Sequence, residues 1–66
     1  MSIEAVKARL TEEHSELNEK IKKLSAFIQD SDTFKSLNSQ HQELLKRQLN
    51  VMLDYQQILI ERIKLI

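Results

Sequence analysis

The sequence predicts an all-α fold: an antiparallel helical hairpin with a short connecting helical turn, assembled as a homo-oligomer. Three observations carry that prediction. The 66 residues include no glycine and no proline. Nothing therefore supplies the φ > 0 positions of tight strand hairpins, and nothing interrupts a helix. Apolar residues recur at heptad spacing: Ile3, Leu10, Leu17 and Leu24 form one row, and Lys7, His14, Ile21 and Ile28 the complementary one. Spacings that alternate three and four put both rows on one stripe of a helix. Finally, the run Asp30-Ser31-Asp32-Thr33 consists of residues whose side chains compete for nearby backbone N–H groups, so it breaks the chain.

Each element follows from its local residues. Ser2 is placed to N-cap a first helix, with Glu4 in its first turn. That helix runs from about residue 2 to about residue 30, roughly 40 Å at the α-helical rise. Its outer face carries Glu12, Glu13, Glu16, Glu19, Lys20 and Lys23. Glu16 with Lys20 and Glu19 with Lys23 have the i,i+4 order that supports a solvated helix face. Phe34 and Leu37 read as one helical turn folded back on the hairpin, within a connection of about residues 31–38. Asn38-Ser39 is the next break, and Ser39 with Gln42 has capping-box spacing. The second helix then runs from about residue 39 to about residue 66. The whole chain, 1–66, reads as a single domain with no internal repeat.

The second helix sets the expectation of assembly. Leu44, Val51, Ile58 and Leu65 form one apolar row, and Leu45, Met52, Leu59 and Ile66 the adjacent one. Leu49 and Ile63 widen the stripe, and Leu53 and Ile60 widen it again. A hairpin partner covers an arc of roughly 100°. The excess predicts packing against further copies, because it would otherwise be an aggregation-prone patch. Size points the same way, since so short a chain buries little surface alone.

Composition narrows the function. Without cysteine there is no disulfide and no thiolate metal site, and two histidines without clustered ligand spacing give no zinc site. Ten basic and ten acidic residues cancel, which argues against binding long nucleic acid. The most apolar run, Ile58 to Ile66, is short and contains Glu61, Arg62 and Lys64, so it predicts no membrane span. Ile3 to Leu10 is amphipathic and carries Glu4, Lys7 and Arg9, unlike an export signal, so the expected location is the cytoplasm. No serine has a helical spacing from both a histidine and an orienting acid, and there is no glycine-rich phosphate loop. The expectation is a non-enzymatic protein without cofactor or metal.

A few polar residues stand out against this frame. His14 lies in the seam, either as a residue that sets register or oligomer state, as one facing a ligand, where its ring would stack on a base or donate a hydrogen bond, or, least favoured, as a metal ligand. Lys7 reads as a lysine whose stem covers apolar surface. Tyr55 sits beside the apolar stripe in the row Gln48, Tyr55, Arg62. Arg62 lies among Ile58, Leu59, Ile60 and Ile63 and needs a partner, either an acid or a bound phosphate gripped bidentately. Lys20, Lys22 and Lys23 are the one dense basic cluster, with Lys22 pointing nearer the Lys7 and His14 side.

Taken in order, Glu16-Leu17, Lys23-Leu24-Ser25-Ala26-Phe27-Ile28, the polar break, Phe34-Lys35-Ser36-Leu37, Gln42-Glu43-Leu44-Leu45, Gln48-Leu49, Met52, Tyr55 and Leu59 with Glu61-Arg62-Ile63 resemble the anti-CBASS cyclic-nucleotide sponges of phages. The resemblance covers nearly the whole chain. It implies a homohexamer of helical hairpins in the host cytoplasm. Cyclic dinucleotides would bind between paired subunits and cyclic trinucleotides near a three-fold axis, withdrawing the messenger without chemistry. In the dinucleotide site it matches His14 and Ser15 to a stacking aromatic and its polar neighbour. Gln29 stands where a lysine follows the Phe-Ile pair, and Lys22, one heptad earlier, is the substitute. In the trinucleotide site it matches Ser31 and Arg62. The competing reading from the residues alone is a coiled-coil adaptor or small inhibitor whose apolar helix docks on another protein.

Overall fold

The computed structural model describes residues 2–66. Three helices follow in order: α1 over Ile3–Asp30, α2 over Asp32–Ser36 and α3 over Ser39–Lys64. The long ones hold 28 and 26 residues, and the molecule measures 48 × 16 × 15 Å.

Side chains at the breaks set where each helix starts. The Ser2 hydroxyl accepts from the Ala5 N–H at 3.1 Å, satisfying one of the donors a helix start leaves unpaired. Ser31 serves two helices. Its backbone is extended (φ −90°, ψ 126°), its N–H donates to the Phe27 carbonyl of α1, and its hydroxyl accepts from the Phe34 N–H of α2. Asn38, rather than Ser39, caps α3, with Oδ1 accepting from the His41 N–H at 2.7 Å. Gln42 accordingly does not close a capping box. Its amide donates back to the carbonyls of Phe34, Lys35 and Leu37 at 3.1, 3.3 and 2.8 Å. These carbonyls cluster at the end of α2, where that of Phe34 also accepts from the Leu37 N–H at 3.1 Å, and they draw the amide away from the cap.

α1 and α3 pack antiparallel. Asn18 of α1 meets Gln56 of α3, while Val6 and Leu10, earlier in α1, lie beside Arg62, later in α3. The core is Leu10, Leu17, Ile21 and Leu59, with Val6, Leu49, Met52 and Ile63 packed against it. Leu59 is 0 % exposed. At the turn, Phe34 is buried and meets Phe27 edge-on, with ring centroids 5.9 Å apart and planes at 86°.

The seam differs from the heptad reading at its start. Ile3 is 70 % exposed and Lys7 is exposed, while Val6 joins the core. At 3.6 residues per turn Val6 lies roughly 40° and Lys7 roughly 60° to either side of the centre of the Leu10–Leu17–Ile21 stripe, and Ile3, although in line with the stripe, lies in the first turn of α1, which α3 does not cover. On the outer face, Lys22 pairs with Glu19 at 3.8 Å in an i,i+3 arrangement, not Lys23 at i+4. Among the described residues, no helix is long and apolar enough to cross a membrane.

Leu59→Ala should lower stability by about 3 kcal/mol, the cost of a cavity under a fully enclosed leucine. Urea denaturation followed by circular dichroism at fixed protein concentration measures this. A loss below about 1 kcal/mol would show that the hairpin core is not the unit that melts.

Candidate ligand-binding site

The residues matched to a dinucleotide site lie along one helix. Ser15, Lys22 and Gln29 occupy one heptad row of α1 and are all exposed. Successive members are roughly 10 Å apart along the axis, so they do not converge within a chain. His14 is half-buried at the shoulder of the seam, on the flank where the Asn18 carbonyl oxygen accepts from the Gln56 amide at 2.9 Å. The Gln29 amide donates to the Ser25 hydroxyl at 3.4 Å, and Lys22 holds its ion pair with Glu19. Both contacts are exposed and weak, so either side chain can be turned to a ligand at little cost.

Arg62 is exposed and lines a groove of ≈ 320 Å³ with Val6, Arg9, Leu10 and Glu13. This groove lies at the open end of the hairpin and gathers two guanidinium side chains and one carboxylate around an apolar floor. That combination suits a planar group with an anionic edge. Ser31 stands at the opposite end. Leu10, beside Arg62, precedes Ser31 by 21 positions in α1 and its cap, roughly 30 Å. One small ligand cannot touch Ser31 and Arg62 of the same chain. If both residues bind it, the ligand sits between chains.

Two other surfaces stand out, of which the first was unexpected from the sequence and the second was expected to meet other copies or another protein. One is a shallow trough of ≈ 610 Å³ along α1, lined by Glu4, Lys7, Ala8, Thr11, Glu12, Ser15 and Glu16. Small side chains at Ala8, Thr11 and Ser15 form its floor, and the 3–4 spacing of these small residues was the available signal. The Thr11 hydroxyl donates to the Lys7 carbonyl at 2.9 Å, so that proton is already engaged. The other is the outer side of α3, where Leu44, Val51, Ile58 and Leu65 are 51, 65, 53 and 87 % exposed. Among the described residues, no group of three or more His, Cys, Asp or Glu is placed to hold a metal ion.

The model of one protein family, described as Sequestin, matches residues 4–65 of this chain. No curated protein and no solved structure matches it.

Ser31 can be tested for its structural role separately from any ligand. Ser31→Ala removes the cap of α2 and should cost about 1 kcal/mol. Ser31→Asp keeps an acceptor for the Phe34 N–H and should retain most of that stability. Thermal melts of the two variants compare them directly. Equal losses would mean that the hydroxyl, and not merely an acceptor, is required.

Proposed function

Because the chain belongs to the Sequestin family, whose name denotes sequestration, we propose that it captures cyclic di- and trinucleotide messengers of bacterial anti-phage (CBASS) signalling without chemical conversion. The observation that carries this reading is the family match over nearly the whole chain. In this reading the protein is a phage immune-evasion sponge in the host cytoplasm, assembled as a homohexamer. It binds neither long nucleic acid nor membrane.

The residues are suited to such a task. Sequestration needs stoichiometric affinity rather than a reactive group, and preformed pockets between helices lose little entropy on binding. His14, half-buried on the flank of α1, offers a ring on which a base can stack. Ser15, Lys22 and Gln29 provide polar groups along the same helix, and phosphate oxygens accept strong hydrogen bonds from such donors. Arg62 offers a planar fork for a phosphate, and its groove already contains a second guanidinium. Net charge is zero, yet symmetric contacts between copies would gather several Arg62 side chains into one cationic site. The distance between Ser31 and Arg62 favours a trinucleotide site shared between chains.

A second reading, an adaptor or inhibitor that docks on another protein, is favoured by the exposed apolar row of α3. The two separate on ligand response. Native mass spectrometry of the purified protein with a panel of cyclic di- and trinucleotides should show a hexamer with fixed ligand numbers, such as three dinucleotides or two trinucleotides. Arg62→Ala should abolish trinucleotide capture and leave the oligomer intact. Capture that survives this substitution would remove Arg62 from the site. A defined oligomer that ignores the entire panel would leave the adaptor reading.

A further inference from the structure

We propose that the groove beside Arg62 reads a guanine base: the Glu13 carboxylate accepts from its N1–H and its 2-amino group, while Arg62 holds the neighbouring phosphate. The inference rests on the proposed capture of cyclic oligonucleotides and names the base that this site prefers. The groove is lined by Val6, Arg9, Leu10 and Glu13 of α1 and by Arg62 of α3. On α1 these positions are spaced three, one and three, so they share one face of the helix. Leu10 is buried and Val6 half-buried, which gives an apolar floor for a flat ring. Glu13 is half-buried at its edge, and both arginines are exposed. At ≈ 320 Å³ the groove is at the small end of ligand pockets, so it takes one nucleotide unit and not a whole cyclic trinucleotide.

The carboxylate is the feature that a phosphate site does not explain. Arg9 and Arg62 attract a phosphodiester, and Glu13 in the same groove repels one. Ion pairing within the chain does not occupy it, since the paired acidic side chains among the described residues are Glu19, Asp32 and Glu43. Glu13 is therefore useful toward a part of the ligand that offers hydrogens. An ionised carboxylate has two acceptor oxygens and no donor. Guanine presents two adjacent N–H donors on its pairing edge, which match those oxygens. Adenine presents an amino donor beside a ring-nitrogen acceptor, so one carboxylate oxygen would face a lone pair. Cytosine and uracil also set acceptors beside their donors. Reading an unstacked base through its pairing edge is the usual recognition mode for a base taken out of a duplex. Here Glu13 stands on α1 and Arg62 on α3, so base and phosphate are gripped from two helices over the Val6 and Leu10 floor. Arg9, one turn before Glu13, offsets the carboxylate's charge toward the phosphate.

Calorimetric titration of the full-length protein with two cyclic trinucleotides tests this, one with three adenines and one with a guanine in place of a single adenine. The guanine ligand should bind the wild type about tenfold more tightly, the scale of one bidentate base contact. Glu13→Gln keeps the size of the side chain, so the thermal melt should not move. Its amide offers one acceptor and one donor, which suit adenine and set a donor against a donor of guanine, so the preference should reverse. Equal binding of the two ligands by the wild type would overturn the base reading and leave the sponge standing. Glu13→Gln weakening both ligands by the same factor would also overturn it, because a residue that merely positions Arg62 acts on both alike. A guanine preference that persists in Glu13→Gln would put the recognition elsewhere on the protein and overturn the assignment of Glu13. Wild-type protein that binds neither ligand would overturn the sponge and this inference together.

Discussion

The width of the apolar surface on α3 is the constraint from which the rest follows. Leu49, Met52, Leu59 and Ile63 face α1, while Leu44, Val51, Ile58 and Leu65 remain in water. A helix hydrophobic on one stripe is satisfied by one partner. This helix has two such stripes side by side, and a 66-residue chain has one other long helix to offer. The hairpin satisfies the first stripe and leaves the second exposed. Contiguous apolar exposure of this extent is rare in monomeric proteins.

That division decides what the polar residues can do. Inside the hairpin, the hydrogen bond from Gln56 of α3 to Asn18 of α1 ties their register without burying a charge. Gln42 serves the same end at the turn by donating to the carbonyls of Phe34, Lys35 and Leu37 at the end of α2. Charged groups are kept to the surface, and no buried polar or charged residue is found among the described positions. The single chain therefore has a dry, ordinary core and carries its chemistry on the outside. A ligand site built from Ser15, Lys22, Gln29, Ser31 and Arg62 has no convergence point within one hairpin, since these side chains are spread along its length. Assembly would convert a linear array into pockets, which is economical for a protein too small to enclose a ligand by itself.

Family membership and geometry bear on different parts of this picture. The Sequestin match over residues 4–65 speaks to sequestration as the task. The exposed apolar row of α3 speaks to how copies meet. Under the proposed function, both would be served by sites between chains.

The sequence by itself determined the helices and the break between them. The absence of glycine and proline, the heptad rows and the Asp30–Thr33 cluster are local properties of the chain, and helix formation responds to local properties. It also showed that α3 has more apolar surface than one partner covers. Only the tertiary structure decided which row faces inward. The Leu44 and Leu45 rows differ by a single residue and have nearly the same hydrophobicity. Their assignment depends on the short α2 turn and on how Phe34 and Gln42 aim α3 at α1. The start of the seam was settled in the same way. Val6 packs inward while Ile3, a turn earlier, stays exposed, because α3 ends at Lys64 before it can cover the first turn of α1. The separation of Ser31 from Arg62 likewise follows from helix length and chain direction together, and neither residue signals it locally.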